Sequence, residues 1–400
     1  MARALPHPEP ETVIVGLSGG VDSAVAALLL KELGHTVQGL FMSNWEDEDD
    51  AYCTAAADFQ DARRVCEALD IPLHRVSFAG EYRQRVFRQF LREYGAGRTP
   101  NPDVLCNREI KFGVCLDYMG RLGAGRIATG HYARLRRTEH GTELLKAADE
   151  SKDQSYFLHS VDPAALGKTL FPLGELRKDE VRRRAHAAGL SVHDKPDSTG
   201  ICFIGERPFE DFLGRYIRAS AGPIEDAAGM VIGEHRGLSF YTIGQRSGLR
   251  VGGRAGSAQA PWYVAAKDLE RNALIVVQDH DHPLLMSAAF EVEELRWLAG
   301  AAPAEPDAAR PDATPAPFEC MVKTRYRQRD LACSVEFRTA GRARVALRQP
   351  ARAITPGQYA VFYRGDRCLG GGIIAESRRL PAERDSPPIH YNFAFSAEES

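Results

Sequence analysis

Gly16-Leu17-Ser18-Gly19-Gly20-Val21-Asp22-Ser23 follows a short run, Thr12-Val13-Ile14-Val15, and opens into Ala24-Val25-Ala26-Ala27-Leu28-Leu29-Leu30-Lys31-Glu32-Leu33, which stops at Gly34. The first run is β-branched and apolar without alternation, the pattern of a strand buried in a parallel sheet. The second is helix-forming. The glycines therefore sit on a strand-to-helix turn. Two successive glycines let the backbone bend sharply and approach a ligand closely. Ser18 and Ser23 add hydroxyls, and the helix presents unpaired amides and its positive dipole end. The turn is an anion site, most naturally for phosphate. It is neither a Walker A loop, because no lysine follows the glycines, nor the dinucleotide pattern Gly-x-Gly-x-x-Gly.

Working outward, strand-like and helix-like runs alternate over the first 130 residues. Strands are expected at Val37–Met42, Leu73–Val76 and Arg126–Thr129, and helices at Ala55–Leu69 and Glu81–Tyr94. Such alternation predicts an α/β fold with an open, doubly wound parallel sheet. Ligands of these sheets sit at the carboxyl ends of the strands. Gly16–Ser23, Met42 and Thr129-Gly130-His131 lie at such ends and should converge. Met42 is placed either to cover an adenine face or simply to pack.

A hairpin is expected around His140-Gly141, helices at Gln154–Leu166, Lys178–Ala188 and Pro208–Arg218, and a loop over Asp194–Gly205. From Gly222 glycine becomes frequent, and short runs at Leu238–Ile243, Trp262–Ala266 and Ala273–Val277 suggest a small β-rich domain. A strand region at Ala289–Leu298 precedes the alanine-, proline- and acid-rich insert Ala299–Pro317, expected to be a mobile linker. Short strands resume from Phe318 to Ala375, as in a compact β-barrel. The expected division is a catalytic domain over 1–218, a central domain over 219–285, and a barrel over 286–376 with its insert at 299–317. A tail over 377–400 is expected to be disordered.

The chain has 400 residues and a net charge of −3, so RNA binding would need local basic patches rather than overall basicity. No apolar run reaches the length of a membrane span, and the N-terminus has no leader-like apolar core. The eight cysteines are scattered without a close Cys-x-x-Cys pair, which disfavours a disulfide scaffold or zinc ribbon. A cytoplasmic location fits.

Two further stretches carry chemistry. In Thr99-Pro100-Asn101-Pro102-Asp103-Val104-Leu105-Cys106-Asn107 the prolines impose an extended path. A helix is expected from about Arg108, with Asn107 as its cap. Cys106 then lies just ahead of a helix N-terminus, which favours thiolate, and Asp103 is placed to exchange protons with a bound group. The alternative is a buried structural cysteine beside a turn-capping aspartate. Cys202 lies in Asp197-Ser198-Thr199-Gly200-Ile201-Cys202-Phe203-Ile204-Gly205, a glycine-bracketed loop. The two thiols are either a sulfur-carrying pair or unrelated.

Ser18-Gly19-Gly20-Val21-Asp22-Ser23 resembles the PP-loop of ATP pyrophosphatases. Together with the 99–107 stretch, Ala128-Thr129-Gly130-His131-Tyr132, Lys152-Asp153-Gln154-Ser155-Tyr156 and Gly200-Ile201-Cys202-Phe203, the chain resembles the tRNA-specific 2-thiouridylase family. The resemblance implies ATP with Mg2+ bound across Gly16, Leu17, Ser18, Gly19, Gly20, Val21, Asp22, Ser23, Met42 and Gly130. It implies a target uridine held at Asn101, Pro102 and Asp103, with Cys106 as nucleophile, Cys202 as persulfide carrier and Asp103 as general acid/base. The tRNA contacts it implies are His131, Lys152, Asp153, Gln154, Arg325, Tyr326 and Gln358. A sulfur-donating protein, either a cysteine desulfurase or a relay protein, is implied as a partner. The local sequence agrees at Lys323–Arg329, a basic run with an aromatic suited to phosphate contact and base stacking, although charges also protect strand edges.

Three alternatives stand beside this reading. One is an amide-forming PP-loop ligase, which has no need of paired loop cysteines. Another is an ATP-sensing RNA-binding protein. The third is an iron–sulfur cluster on Asp103, Cys106 and Cys202, whose spacing does not resemble clustered-cysteine motifs.

Overall fold

A computed structural model of the chain describes residues 10–45, 55–197, 209–251, 260–303, 317–339 and 341–379. Strand β1 (Thr12–Gly16) has Val13, Ile14 and Val15 fully buried, as its unbroken apolar run requires. Helix α1 (Val21–Glu32) follows the glycine turn, then β2 (Thr36–Ser43), helix α2 (Ala55–Leu69) and β3 (Leu73–Ser77). After two helical runs come β4 (Arg126–Ala128), the hairpin β5 (Arg134–Thr138) and β6 (Gly141–Leu145), and β7 (Thr169–Leu170). The sheet order is β3-β2-β1-β4-β7, with every pairing parallel. This is the expected open α/β sheet, with β1 at its centre.

The second helical run differs from expectation. It begins at Pro102, not near Arg108, and its cap is Asn101, not Asn107. Proline lacks an N–H and its fixed φ suits the first helical position. The Asn101 side chain accepts a hydrogen bond from the Asp103 amide at 3.2 Å. Cys106 therefore lies inside the run, one turn after Asp103, at the start of a wide, π-type winding over Cys106–Val114.

Two other elements also depart from the sequence reading. The helix expected over 154–166 is two, Ser155–Leu158 and Pro163–Gly167, because the Asp162 side chain caps a fresh start by accepting from the Ala164 amide at 2.7 Å. The strand expected over 238–243 is a 3₁₀ turn, Leu238–Phe240. Its buried residues, Leu238 and Tyr241, are three apart rather than two, which is a helical period.

The middle domain is a sheet of β8 (Gly222–Glu225), β9 (Val231–His235), β10 (Trp262–Asp268) and β11 (Ala273–Gln278), ordered β10-β11-β8-β9. The last domain contains β12 (Met286–Trp297), β13 (Phe318–Lys323), β14 (Leu331–Thr339), β15 (Arg342–Arg352), β16 (Tyr359–Arg364) and β17 (Arg367–Arg379). These six run in the order β12-β15-β14-β13-β16-β17, and β12 pairs again with β17, closing a barrel. The β5–β6 hairpin of the first domain joins this barrel through β6 and β17. Most of the insert (304–316), the tail from 380 and residues 198–205 of the expected 194–205 loop lie outside the described residues.

Candidate active site

The glycine turn has the geometry its sequence demands. Gly19 has φ +74°, and a Cβ there would lie 2.4 Å from the Asp58 carbonyl oxygen of α2. Only glycine fits. The Ser23 hydroxyl accepts from the Ser18 amide at 3.2 Å and donates to the Gly20 carbonyl at 3.0 Å, shaping the turn from within. The predicted convergence is present. A Cβ on Gly16 would sit 3.5 Å from Met42 Cε and 3.8 Å from Thr129 Cγ2, and one on Gly130 would be 2.7 Å from the Asp22 and Ser23 backbone. The ends of β1, β2 and β4 thus meet around the N-terminus of α1.

The turn contains no lysine of its own, yet two reach it from far along the chain. Lys178 Nζ donates to both Asp22 carboxylate oxygens at 2.8 and 2.7 Å and pairs with Asp197 at 2.7 Å. Lys195 Nζ donates to the Gly19 carbonyl at 3.0 Å and to Asp58 and Asp61 at 2.6 Å each. Tyr132 also donates its phenol to Asp22 at 2.8 Å. Asp197 further receives Lys152 at 2.8 Å and Arg182 at 3.1 Å. Burial works to raise the Asp197 carboxyl, but hydrogen bonds from Lys152 and Lys178 and their charges outweigh it and hold it at about 2. Burial works to lower Lys195, but its hydrogen bonds to Asp58 and Asp61 and their charges outweigh it, so its pKa is raised.

Sequence reasoning missed Lys178, Lys195, Tyr132, Asp58, Asp61 and Asp197. One signal was available. Lys178 is the first residue of its helix, where the helix dipole disfavours a cation.

The 94–103 segment is where the three domains meet. The Thr99 amide donates to the Pro356 carbonyl at 2.9 Å, and Gln358 Nε2 donates to the Thr99 carbonyl at 2.8 Å. Gly357, with φ +92°, comes so close that a Cβ would lie 2.8 Å from the Thr99 nitrogen. Arg98 bridges Glu93 at 3.0 Å and Glu293 of the barrel at 2.8 Å. From the middle domain, Ser239 Oγ donates to the Tyr94 carbonyl at 3.0 Å and Lys267 Nζ to the Gly97 carbonyl at 2.9 Å. The segment ends in a cavity of about 760 Å³ that Asn101, Pro102 and Asp103 line together with Thr242, Arg236 and Arg250.

Cys106 is fully buried and does not line that cavity. Cys202 lies outside the described residues. Among the described residues, no group of three His, Cys, Asp or Glu side chains is placed to hold a metal ion.

The residues expected to touch tRNA divide into two kinds. Arg325 is exposed, and Lys152 is partly exposed although it pairs with Asp197. The others already have work inside the chain. Asp153 is buried and its carboxylate accepts from the Ala147 and Ser155 amides at 3.1 Å each. Gln154 Oε1 accepts from the Tyr132 amide at 2.9 Å. Gln358 braces Thr99, and Tyr326 packs on Phe157 with ring centroids 4.5 Å apart. His131 is buried between Phe112 and Phe171 with Nδ1 2.7 Å from Thr129 Oγ1, and burial, with the nearby Lys111 charge, holds the ring well below its usual pKa.

A parallel sheet carrying Ser-Gly-Gly-Val-Asp-Ser at the end of its central strand defines an ATP-using domain of the HUP, PP-loop class. Models for a tRNA methyl transferase HUP domain, a tRNA methyl transferase PRC-barrel domain and an aminomethyltransferase β-barrel domain match residues 11–206, 210–278 and 287–374 in turn. The chain is 56% identical over 377 residues to the tRNA-specific 2-thiouridylase MnmA of Verminephrobacter eiseniae, covering 91% of this chain and 98% of that one. It is 53% identical to the protein of the same name from a Polaromonas species (92% and 93% covered) and 54% identical to that from Methylococcus capsulatus (90% and 95%). The chain belongs to the tRNA-specific 2-thiouridylase family. Among the described residues, no helix is long and apolar enough to cross a membrane.

Proposed function

We propose that the chain replaces the C2 oxygen of the wobble uridine of tRNA with sulfur, at the expense of ATP. The observation that carries the chemistry is the helix start at Pro102. It presents Asp103 to a cavity that suits a nucleoside and sets Cys106 one turn behind it. ATP binds with its phosphates on the amides of Gly16–Ser23 and its base beside Met42 and Gly130. The Mg2+ that accompanies ATP neutralises the triphosphate. Asp22 is the carboxylate within the turn, and Lys178 and Tyr132 orient it.

Asn101, Pro102 and Asp103 hold the extruded uridine. Its C2 oxygen attacks the α-phosphorus and pyrophosphate leaves. The terminal sulfur of a Cys202 persulfide then attacks C2 and AMP leaves with the oxygen. Cys106 thiolate attacks the Cys202 sulfur, the persulfide S–S bond breaks, and its electron pair stays on the new 2-thiouridine. A Cys106–Cys202 disulfide remains, which an external thiol reduces before the next turnover. Asp103 serves as general acid/base. A cysteine desulfurase or relay protein reloads Cys202. Lys152, Arg325, Arg327 and Arg329 engage tRNA phosphates, whereas Lys323 of the same run turns inward to Asp153 and Asp330; Tyr326, His131, Asp153, Gln154 and Gln358 shape the surface they stand on.

The test is incubation of unmodified tRNA with magnesium ATP and a persulfurated protein, followed by nucleoside mass spectrometry. 2-Thiouridine should form with wild type and not with Cys106→Ser or Cys202→Ser. Its absence with persulfurated wild type overturns the reading. Thiolation undiminished in both variants overturns the roles given to the cysteines. Stoichiometric iron and sulfide in anaerobically purified protein would replace the persulfide with a cluster.

A further inference from the structure

The base-binding residues form only part of their cavity; Arg236, Thr242 and Arg250 come from the middle domain. Arg236 is paired with Glu210 at 3.0 Å. Arg250 is exposed and makes no ion pair among the described residues. Its backbone is unusual. Leu249 is buried in the middle domain's core and Val251 packs against the same cluster, so the chain is rooted on both sides. Arg250, between them, has φ +53°, a left-handed conformation that costs a side-chain-bearing residue energy. A strained residue held in place by its neighbours and carrying an unpaired cation into a cavity is a candidate for ligand contact.

The rest of the cavity indicates the ligand. Its floor is aromatic, with Phe90, Tyr94, Phe209 and Phe240, and Asn101 and Asp103 supply polar groups. Such a site suits a flat base. An extruded base brings its backbone with it, so a phosphate must pass the rim. An arginine there meets it with a charge-assisted, bidentate contact. We propose that Arg250 is the anchor for the tRNA backbone phosphate next to the target uridine, so that the middle domain completes the nucleotide site. The inference rests on the reading of residues 101–103 as the base-binding loop.

The test uses the full chain with unmodified tRNA. Arg250→Gln removes the charge, Arg250→Lys keeps it, and Arg250→Gly removes it while relieving the backbone strain, so loss of folding cannot imitate loss of contact. Binding is measured against salt concentration, and steady-state thiolation against tRNA and against ATP. Arg250→Gln and Arg250→Gly should weaken tRNA binding roughly tenfold and lower the salt slope by about 1, with Arg250→Lys close to wild type. The KM for ATP should not move. Wild-type affinity and slope in Arg250→Gly overturn the inference. A raised KM for ATP with unchanged tRNA binding would overturn it by assigning the arginine to the nucleotide triphosphate. Failure of wild type to form 2-thiouridine would instead count against the proposed function, since the binding measurements stand without turnover.

Discussion

Replacing Gly19 with alanine tests the active-site turn at its tightest point. The left-handed backbone, φ +74°, costs an L-residue roughly 1–2 kcal/mol. The new methyl would also lie 2.4 Å from the Asp58 carbonyl oxygen and 2.8 Å from its Cα. Helix α2 would have to withdraw by about 1 Å, as overpacked elements do at a cost of ~1–3 kcal/mol. It is not free to do so, because Lys195 grips Asp58 and Asp61 at 2.6 Å each and Ala62, Val65 and Leu69 are buried in the core. Together these predict a loss of about 2–5 kcal/mol for Gly19→Ala, read as a lower urea midpoint. If the turn yields instead of the helix, its amides leave their phosphate-binding positions, and tRNA-dependent pyrophosphate release should fall at least tenfold. Gly20→Ala is the control for stability. Gly20 has φ −100°, and its added methyl would meet only Ser18 Oγ at 3.5 Å, so it should stay within about 1 kcal/mol of wild type. A Gly19→Ala protein that matches Gly20→Ala in urea midpoint and wild type in pyrophosphate release would refute this account of the turn.

Asp197 has a depressed pKa, about 2 in the folded chain against an ordinary 3.8. Its ion pairs stabilise the fold above about pH 4 and are lost as pH falls towards 2, so the urea midpoints of wild type and Asp197→Asn should differ at pH 6 and approach each other below pH 3. Lys267 is shifted the other way: burial lowers it to about 7. The unfolded chain therefore binds the extra proton between about pH 7 and 10.5, and wild-type stability should rise across that window; Lys267→Met, which also leaves the Gly97 carbonyl without its donor, should flatten the rise, and an unchanged slope would show that the amine stays charged. Among the six described cysteines, Cys320 is the one not fully buried. Peptide mapping after brief maleimide treatment of the native protein should find it labelled well ahead of Cys66, Cys106, Cys115, Cys333 and Cys368; rapid labelling of Cys106 would contradict its burial.

The parts of this fold legible in the sequence are those set by neighbours along the chain. Thr12–Val15 could only be a buried strand, and Gly19-Gly20 after it could only be a tight turn. The errors came where one residue type has two meanings. Proline both extends the residue before it and opens helices, and here Asn101 before Pro102 and Asp103 after it make Pro102 the first residue of a helix. Leu238 and Tyr241 carry a helical period too short to be seen among the strands around them. The charges at the active site were not legible for a different reason. Lys178 and Lys195 reach the turn across 156 and 176 residues of sequence, and nothing local to Gly16–Ser23 announces them. The same holds for the cavity, because no pattern near Asn101 says that Arg250 will face it.

The placement of the 94–103 segment explains why such a chain needs three domains for one reaction. Adenylation requires only the sheet and its turn, and those elements are complete within the first domain. Holding an extruded base requires walls that the strand ends do not supply. Backbone contacts from Thr99 to Pro356, and from the Gln358 side chain back to Thr99, fix the 99–103 loop, which we propose holds the base, to the barrel. Ser239 and Lys267 fix the stretch before it to the middle domain. These contacts use backbone groups of the loop, and Asn101 and Asp103 remain in the cavity lining. A loop gripped by its backbone from two other domains is pre-organised before substrate arrives, so less of the tRNA's binding energy is spent ordering it. The same grip makes the base site sensitive to domain docking. Arg98, which joins Glu93 to Glu293, is therefore expected to position that loop: Arg98→Ala should raise the KM for tRNA and leave the KM for ATP unchanged, and equal shifts in both would refute the assignment.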